Sequence, residues 1–430
     1  MTHIETSRDY WREIYTAPEN WADPDKHVIT TYLVEPRPGI TLLDAGIDLA
    51  AESTIGTWTR VKTGEPRHLA GRIFKLEHRN GYGIVHIATP LELFDLESGI
   101  PNLLSVAAGN VFGLSSVENV RLLDIHLPKS YVQMFKGPKF GIEGIRKIVG
   151  TLESRRPHLG TIVKPKVGLN PREFAKVAYE AAMGGVDLVK DDETLVNQRF
   201  CPLLDRLIHV MEMLDRVREE TGKHVLYALN VTADYPKILE YADKAIENGA
   251  NCLMVDVICA GFSALKAIAE DPSVNVPIHV HRAMHAAFTR NPRHGIHMMV
   301  IAKLVRLAGG DQLHTGTAAG KMEKTTSVSE LRRIDDWLRE PWYGLKNVMP
   351  VASGGIHPAL VPRNIEALGR DILINAGGGI HGHPDGTRAG AKAMMAAIEA
   401  VMQGVPLEEY AKSSPELKRA LEYWGKRFLD

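Results

Sequence analysis

Three carboxylates and a lysine follow an apolar segment in the sequence GVDLVKDDE, where residues 186–189 lead into Lys190, Asp191, Asp192 and Glu193. This pattern predicts a strand that delivers these side chains to its carboxyl end, where α/β folds place their chemistry. Because side chains alternate along a strand, Lys190 and Asp192 share one face, Asp191 points to the other, and Glu193 can turn inward from the loop. Taken alone, the run is more typical of a solvated strand exit.

Two further predicted strands carry cationic or titratable side chains in pairs. Lys164 and Lys166 lie two residues apart on either side of Pro165 and share a face. Two neighbouring ammonium groups favour the neutral amine or an anionic ligand, although solvent-facing lysines are the simpler explanation. His279 and His281 also share a face, and a structural role is the usual explanation for either histidine alone.

The later strands end in a lysine loop and in glycines. The segment HTGTAAGK ends at Lys321 and predicts a flexible loop that could act as a lid. SGG at residues 353–355 and GGG at residues 377–379 let backbone amides approach a phosphate. Taken together, the cations, the oxygen ligands and the two glycine segments suit a sugar bisphosphate held across a hard divalent metal.

The elements that carry these residues alternate strand and helix eight times over about 250 residues, the usual length of a TIM barrel. The strand-like segments are residues 160–166, 186–190, 224–232, 252–258, 277–284, 312–317, 348–355 and 372–378. The pattern predicts an α/β protein with a catalytic (β/α)₈ barrel over residues 159–402, whose strand ends share one face. Residues 403–430 are predicted to form a charged helical tail.

A smaller α+β domain of ferredoxin-like, split-βαβ type is predicted over residues 1–136. Its strand-like segments are residues 27–36, 58–62, 72–90 and 117–128, with a turn at residues 79–82, and its helical segments are residues 41–53 and 91–108. Residues 137–158 contain glycines and prolines and are predicted to form a linker.

Composition argues against several classes of protein. The 430 residues include 51 Lys plus Arg against 52 Asp plus Glu, a net charge of −1 that offers no basic field for nucleic acid or a membrane surface. Cys201, Cys252 and Cys259 lack metal-type spacing and are typical of reduced thiols in an intracellular protein. The sequence shows neither an apolar signal core nor an apolar run of about 18 residues, so we expect a cytoplasmic protein.

The same segments resemble motifs of the large subunit of ribulose-1,5-bisphosphate carboxylase/oxygenase (RuBisCO). The similar segments are GTIVKPKVGL, GGVDLVKDDE, HVHRAMHAAFTRNPRHGI, DQLHTGTAAGK, MPVASGGIHP and GGGIHGHPDG, with AAESTIGTW and AAGNVFG in the first domain. They occur in the family's order from about residue 28 to the tail. HAAFTRNP and the short chain most resemble the archaeal form III enzymes.

The resemblance implies a carbon-carbon lyase, a ribulose-bisphosphate carboxylase/oxygenase. Such an enzyme adds carbon dioxide or oxygen to the enediolate of ribulose 1,5-bisphosphate. The products are two 3-phosphoglycerate, or 3-phosphoglycerate plus 2-phosphoglycolate. In the form III type, the reaction serves AMP and nucleoside salvage.

The cofactors implied are a magnesium ion and an activating carbon dioxide. Lys190 resembles the lysine that takes up this non-substrate carbon dioxide as a carbamate, and Asp192 and Glu193 resemble the remaining protein ligands of Mg²⁺. A carbamate supplies an oxygen where lysine has none, which suits the preference of Mg²⁺ for oxygen ligands. Without this modification, we expect Lys190 to form an ion pair with the two carboxylates.

The resemblance also implies catalytic roles for individual side chains. Lys164 resembles the acid/base lysine of enolisation and final protonation, with Lys166 tuning its pKa, and the Lys190 carbamate resembles the base at C3. His281 matches the residue that assists hydration and cleavage. Lys321 matches the loop lysine that meets the incoming carbon dioxide.

The other matches are substrate-binding positions. Those at one end of the substrate are Arg282, His314 and Ser353, and those at the other phosphate are Thr57, Trp58, Gly355, Gly377 and Gly378. Further contacts are implied for Glu52, Asn110 and Thr161.

In the family, the N-terminal domain of one subunit covers the barrel mouth of the next. The resemblance therefore implies a homodimer as the minimal active unit, without a small subunit, and leaves a higher homo-oligomer such as a decamer open.

Three segments depart from the family pattern and bear on loop kinetics, phosphate affinity and gas discrimination. They are Met322-Glu323-Lys324, Asn375-Ala376 and Ile380-His381. His381 and His383 lack the third ligand that a zinc site needs.

Two alternatives remain: a RuBisCO-like enolase or isomerase of a sugar phosphate or methylthio-diketone phosphate, and a noncatalytic sugar-phosphate-binding protein. The intact set of residues, including Lys321, Glu52 and Asn110, favours the carboxylase.

Overall fold

The computed structural model describes residues 8–56, 59, 61–321, 327–425 and 427. The chain forms two compact units, the first comprising Met1–Phe135 and His285–Leu304 and the second comprising Lys136–Met284 and Val305–Asp430. Helix Met298–Ala308 contains the point at which the chain passes from the first unit to the second. Within the described ranges, no helix is long and apolar enough to cross a membrane.

The first unit is built on an antiparallel sheet with the β-α-β-β-α-β order of a ferredoxin-like fold, as predicted. Its four long strands are His27–Pro36, Arg72–Arg79, Tyr82–Pro90 and Val117–His126. In space, the fourth strand pairs with the first, the first with the third, and the third with the second, and the short strand Gly295–Ile296 adds to the fourth. The helices of this unit are Arg8–Tyr15, Leu42–Ser53, Ile100–Ala108, Lys129–Val132 and Ala286–Thr289.

Local sequence signals account for the regular parts of this unit. The side chain of Thr41 accepts a hydrogen bond from the backbone N–H of Asp44 and so caps the helix Leu42–Ser53. The turn predicted at residues 79–82 is a two-residue Asn-Gly turn, in which Gly81 has a φ of +80° that favours glycine.

Two predicted elements of this unit are wrong in extent. Residues 91–108 do not form one helix, because Asp95 Oδ1 accepts from the Glu97 backbone N–H in a turn, so the helix begins only at Ile100. Residues 58–62 do not form a strand where they are described, because Gly64 donates to the Val61 carbonyl at 3.2 Å and closes a turn there.

The second unit is a closed barrel of eight parallel strands, which confirms the predicted TIM barrel. The strands are His158–Ile162, Leu188–Lys190, Leu226–Asn230, Cys252–Asp256, Ile278–His281, Gln312–His314, Met349–Ser353 and Leu373–Asn375. The eighth strand closes the barrel by pairing Leu373 with His158. The first strand stops at Ile162, so Lys164 and Lys166 lie in the loop around Pro165, which cannot donate to a ladder.

Helices surround the barrel and cover its amino end. They are Gly141–Val149, Pro171–Met183, Leu203–Thr221, Lys237–Glu247, Val257–Ala260, Phe262–Glu270, Val328–Arg339, Val361–Leu368, Gly378–His381, Thr387–Gln403, Leu407–Tyr410 and Pro415–Trp424. The first of these lies within residues 137–158, the predicted linker, and packs Ile142 and Ile145 against residues near the starts of barrel strands, such as Leu226 and Met349. The carboxyl ends of the strands are left for the site.

Candidate active site

One cavity of about 490 Å³ lies at the carboxyl ends of the barrel strands. It brings together most of the residues that the sequence singled out. These are Lys164, Lys166, Lys190, Asp192, Glu193, His281, His314, Lys321, Ser353, Gly355, Gly377 and Gly378.

Lys190 is the last residue of the second barrel strand and is completely buried. Its Nζ donates to the Asp191 carbonyl at 2.7 Å. Burial lowers the pKa of Lys190, against the opposing charges of Glu193 and Asp192. The predicted ion pair between Lys190 and the carboxylates of Asp192 and Glu193 is wrong for the described residues, because these carboxylates contact Lys164 and Lys166 instead. A neutral amine is a nucleophile, which is the form that can take up carbon dioxide.

Asp192 and Glu193 face two lysines from the first barrel loop. Asp192 Oδ2 accepts from Lys164 Nζ at 3.0 Å, and Lys166 Nζ lies 3.9 Å from a carboxylate oxygen of each acidic residue. Burial alone would raise the pKa of Asp192, but the hydrogen bond and charge of Lys164, with hydrogen bonds from Thr194, lower it overall. Asp192 is therefore an anion, as a ligand of a hard metal must be.

Asp191 points away from this cavity, as the alternation predicted. Its two carboxylate oxygens accept from Arg206 at 3.1 and 3.0 Å, from the Tyr227 hydroxyl at 2.6 Å and from the Asn230 backbone N–H at 2.8 Å. Asp191 and Arg206 are both fully buried. This network fixes the end of the second strand from behind.

The histidines at the fifth and sixth strand ends form a connected group. His281 Nδ1 lies 2.9 Å from a carboxylate oxygen of Asp256, and its Nε2 lies 3.9 Å from Glu193. His314 Nε2 lies 2.8 Å from His279 Nε2. Burial, followed by the neighbouring histidines, holds the pKa of His314 well below its ordinary value, so His314 is neutral.

Glycines allow two lysines to approach the cavity wall. Gly355 has a φ of +80°, and a Cβ at this position would clash with the Lys321 side chain. A Cβ on Gly377 would lie 3.0 Å from Lys164 Cε. The glycines of the seventh and eighth loops therefore serve lysine placement as well as the predicted anion contact.

Thr161 and Arg282 are not among the residues that line the cavity. Thr161 is fully buried, donates to the Ala376 carbonyl at 2.7 Å and contacts His381 Nε2 at 2.9 Å. A Cβ on Gly316 would lie 3.2 Å from Arg282 Nη2, so the guanidinium lies against the sixth loop. Their contacts with substrate stay predictions.

The other predicted site residues belong to the first unit. Asn110 Nδ2 donates to Glu52 Oε1 at 2.9 Å, and both residues are exposed. Thr57 and Trp58 lie outside the described residues, as do Met322, Glu323 and Lys324.

Several residues of the site were missed in the sequence. Asp256 binds His281, and Asn230 Nδ2 donates to the Glu193 carbonyl at 3.3 Å. Both residues end barrel strands, and this position was the signal that could have found them. Trp424 and Arg427 also line the cavity, although the tail that carries them had been assigned no role.

No group of three or more His, Cys, Asp or Glu that could hold a metal occurs among the residues that the structure describes. His381 and His383 bind separate partners, the Thr161 hydroxyl and the Glu416 carbonyl. The carboxylates that line the cavity are those of Asp192 and Glu193.

Comparisons with known proteins give one consistent match. Residues 141–424 match the family model described as ribulose bisphosphate carboxylase large chain, catalytic domain, and residues 9–131 match the corresponding N-terminal domain. A ribulose bisphosphate carboxylase of Methanocaldococcus jannaschii is 47% identical over 399 residues, covering 88% of this chain and 92% of the relative.

Solved structures agree with this match. An octameric RuBisCO of Pyrococcus horikoshii has a TM-score of 0.90 at 43% identity, covering 97% of this chain and 99% of that one. A dimeric archaeal RuBisCO of Hyperthermus butylicus has a TM-score of 0.89 at 40% identity, covering 96% of this chain and 99% of that one.

Proposed function

This chain belongs to the family of ribulose bisphosphate carboxylase large chains, and we propose that it is an archaeal-type ribulose-1,5-bisphosphate carboxylase/oxygenase. It adds carbon dioxide, or oxygen, to the enediolate of ribulose 1,5-bisphosphate. The observation that carries the proposal is one cavity that contains the fully buried Lys190 beside Asp192 and Glu193, with Lys164 and Lys321 on its walls.

Lys190, Asp192 and Glu193 would together hold a magnesium ion. The donor set fits, because two carboxylates follow a lysine whose pKa burial lowers, which favours the amine form. The nitrogen of Lys190 attacks the carbon of carbon dioxide and loses a proton, which yields a carbamate with oxygen donors. When bound, Mg²⁺ supplies polarisation of the carbonyl and hydroxyl oxygens of the substrate.

Proton transfer in the cavity falls to the two lysines. In its carbamylated form, Lys190 accepts the proton from C3 of the substrate. Lys164 Nζ donates to Asp192 at 3.0 Å, and this bond holds its ammonium group at the cavity, from which it returns a proton to carbon in the last step. Lys166, at 3.9 Å from both carboxylates, adds a second positive charge beside Lys164.

His281 and Lys321 act on the later steps. With Nδ1 beside the Asp256 carboxylate, His281 would present Nε2 to take a proton from the water that hydrates the carboxylated intermediate. Lys321 places a positive charge where the new carboxylate develops, and such fixed charges are the largest catalytic term in many enzymes.

The ends of the cavity suit the two phosphates. Backbone amides of Gly377 and Gly378 can approach one phosphate. Ser353 and His314 line the cavity and would contact the other end of the substrate, with Arg282. A substrate with an anion at each end would thereby be held across Lys190, Asp192 and Glu193.

We further propose a homodimer as the minimal active unit, in which the bonded pair Glu52 and Asn110, with Thr57 and Trp58, serves the neighbouring subunit. The structural relatives include a dimer and an octamer, which supports an assembly of more than one copy, and the proposed assembly needs no small subunit. A cytoplasmic location and a role in AMP or nucleoside salvage complete the proposal.

The test is an incubation with ribulose bisphosphate, magnesium and labelled bicarbonate. We expect label in 3-phosphoglycerate, and we expect none with Lys190→Ala. Folded wild-type protein that exchanges the C3 proton but yields no labelled product would instead be an enolase or isomerase. Protein that binds the bisphosphate and neither exchanges this proton nor forms product would be a binding protein.

A further inference from the structure

Residues 317–321 follow the sixth barrel strand, end at Lys321 and are tightly packed. Ala318 and Ala319 are 1% and 2% exposed. A Cβ on Gly320 would clash with the Gly354 carbonyl, and the Lys321 backbone N–H donates to that same carbonyl at 2.9 Å. The position of Lys321 therefore depends on the backbone that precedes it.

One side chain from a neighbouring helix binds most of the polar groups of this segment. Asn364, in the helix Val361–Leu368, is fully buried. Its Oδ1 accepts from the backbone N–H groups of Ala318 at 3.0 Å and Ala319 at 3.4 Å, and lies 2.7 Å from the Thr317 hydroxyl. Its Nδ2 donates to the Ala319 carbonyl at 3.0 Å and to the Leu360 carbonyl at 2.9 Å.

These contacts serve the loop and not the helix. Four of the five contacts of the Asn364 amide go to residues 317–319, and only the bond to Leu360 stays within its own segment. The two backbone N–H donors fix which amide atom is the oxygen. A buried amide is costly unless it is bonded, and here both its oxygen and its nitrogen are used.

We propose that Asn364 is a positioning residue that holds the backbone before Lys321 at the distance needed for carbon dioxide addition. This inference rests on the proposed function of Lys321. Without the amide, the N–H groups of Ala318 and Ala319 would be buried without partners and the Ala319 carbonyl would keep only the Thr317 hydroxyl, so the segment would move toward water. Lys321 would move with it, whereas Lys164, in the loop after the first strand, and Lys190, at the end of the second, would stay.

The inference separates two reactions at one site. Removal of the C3 proton needs Lys190 and Lys164, and carboxylation also needs Lys321. A displacement of about 1 Å can cost about 10²-fold in rate. In Asn364→Leu, which is close in size but cannot hydrogen-bond, we expect kcat/KM for carboxylation to fall roughly 10- to 100-fold. Exchange of the C3 proton with solvent should change by less than about twofold, because Lys190 and Lys164, which act on this proton, do not move.

The experiment measures the ratio of carboxylation to C3 proton exchange in wild type, Asn364→Leu and Thr317→Val. The second variant removes the hydroxyl contacts to Asn364 and to the Ala319 carbonyl but keeps the Asn364 amide, and a smaller fall in the same ratio is expected. Asn251→Leu is the matched control, because Asn251 also binds backbone groups, the Tyr227 N–H and the Val225 carbonyl, at the other end of the barrel. It should lower the unfolding midpoint and leave the ratio unchanged.

Hydrogen exchange of the Ala318 and Ala319 amides supplies a second readout that does not depend on activity. Faster exchange in Asn364→Leu, and not in Asn251→Leu, supports the anchoring even if the wild type forms no labelled product, which would refute only the proposed function. Unchanged amide protection, or a ratio that falls equally in Asn251→Leu, would overturn the inference.

Discussion

Replacing Asp191 by asparagine tests whether its buried hydrogen-bond network stabilises the end of the second barrel strand. The change keeps the size of the side chain and removes a negative charge that accepts from Arg206, Tyr227 and the Asn230 backbone. Arg206 would then be a buried cation without its anion, since both side chains are 0% exposed. The expected result is a large loss of stability.

The magnitude follows from the remaining partners of Arg206. Removing one member of a buried ion pair costs about 3–5 kcal/mol. Arg206 keeps the Cys201 and Val196 carbonyls, each at 2.7 Å, so we expect the lower end, about 3 kcal/mol. At about 2 °C for each kcal/mol in a unit of this size, the thermal unfolding midpoint should fall by roughly 6 °C.

Thermal unfolding followed by circular dichroism measures this change. Asp205→Asn, an exposed charge on the same helix as Arg206, is the control and should shift the midpoint by less than about 2 °C. Adding Arg206→Met to Asp191→Asn removes the second charge and should recover part of the loss. An Asp191→Asn midpoint equal to that of the control would refute the assignment of Asp191 as a structural residue.

Three other predictions concern the histidine, the amino end of the barrel and the assembly. Asp256→Asn should lower kcat for carboxylation at least about tenfold, because a neutral amide, which can also donate to His281 Nδ1, replaces the carboxylate that orients this ring, and an unchanged kcat would argue against that role. Asp187 is buried, and although burial alone would raise its pKa, Arg156 and Lys223 lower it overall. Its stabilisation is therefore present at neutral pH and is lost as the pH falls below roughly 4, so the midpoint difference between wild type and Asp187→Asn should shrink in acid. A difference that stays constant in acid would be inconsistent with this charge pairing. Co-expressing Glu52→Gln with Lys190→Ala should give activity that neither variant has alone, because mixed dimers would hold one intact site, and no recovery in a mixed dimer would contradict the shared site.

The barrel and much of its site could be predicted from local patterns. Eight strand-and-helix repeats fixed the order of the strands, and alternation within one strand correctly separated Asp191 from Lys190 and Asp192. Strand ends in a barrel meet at one face, so residues distant in sequence could be assigned to one cavity before any contact was known.

The remaining features depend on tertiary contacts that no local pattern encodes. The ion pair expected for Lys190 does not form. Lys190 is deeply buried, and Lys164, from another loop, binds Asp192 instead. Asn364 lies more than 40 residues after the loop that it binds, and a polar residue in a short helix carries no signal of its partner. Of the predicted strand over residues 58–62, the described residues 59, 61 and 62 do not form a strand, and Val61 instead begins a turn that closes at Gly64.

The central claim is that Lys190 becomes a carbamate that completes the ligands of the site. The most direct measurement is to incubate the protein with ¹³C-labelled carbon dioxide and magnesium, trap carbamates as stable esters, and identify the modified peptide by mass spectrometry. The account predicts label on Lys190, with carboxylation rising in step with it, and no label at this position in Lys190→Ala. Full carboxylation by protein that carries no label on Lys190 would contradict it.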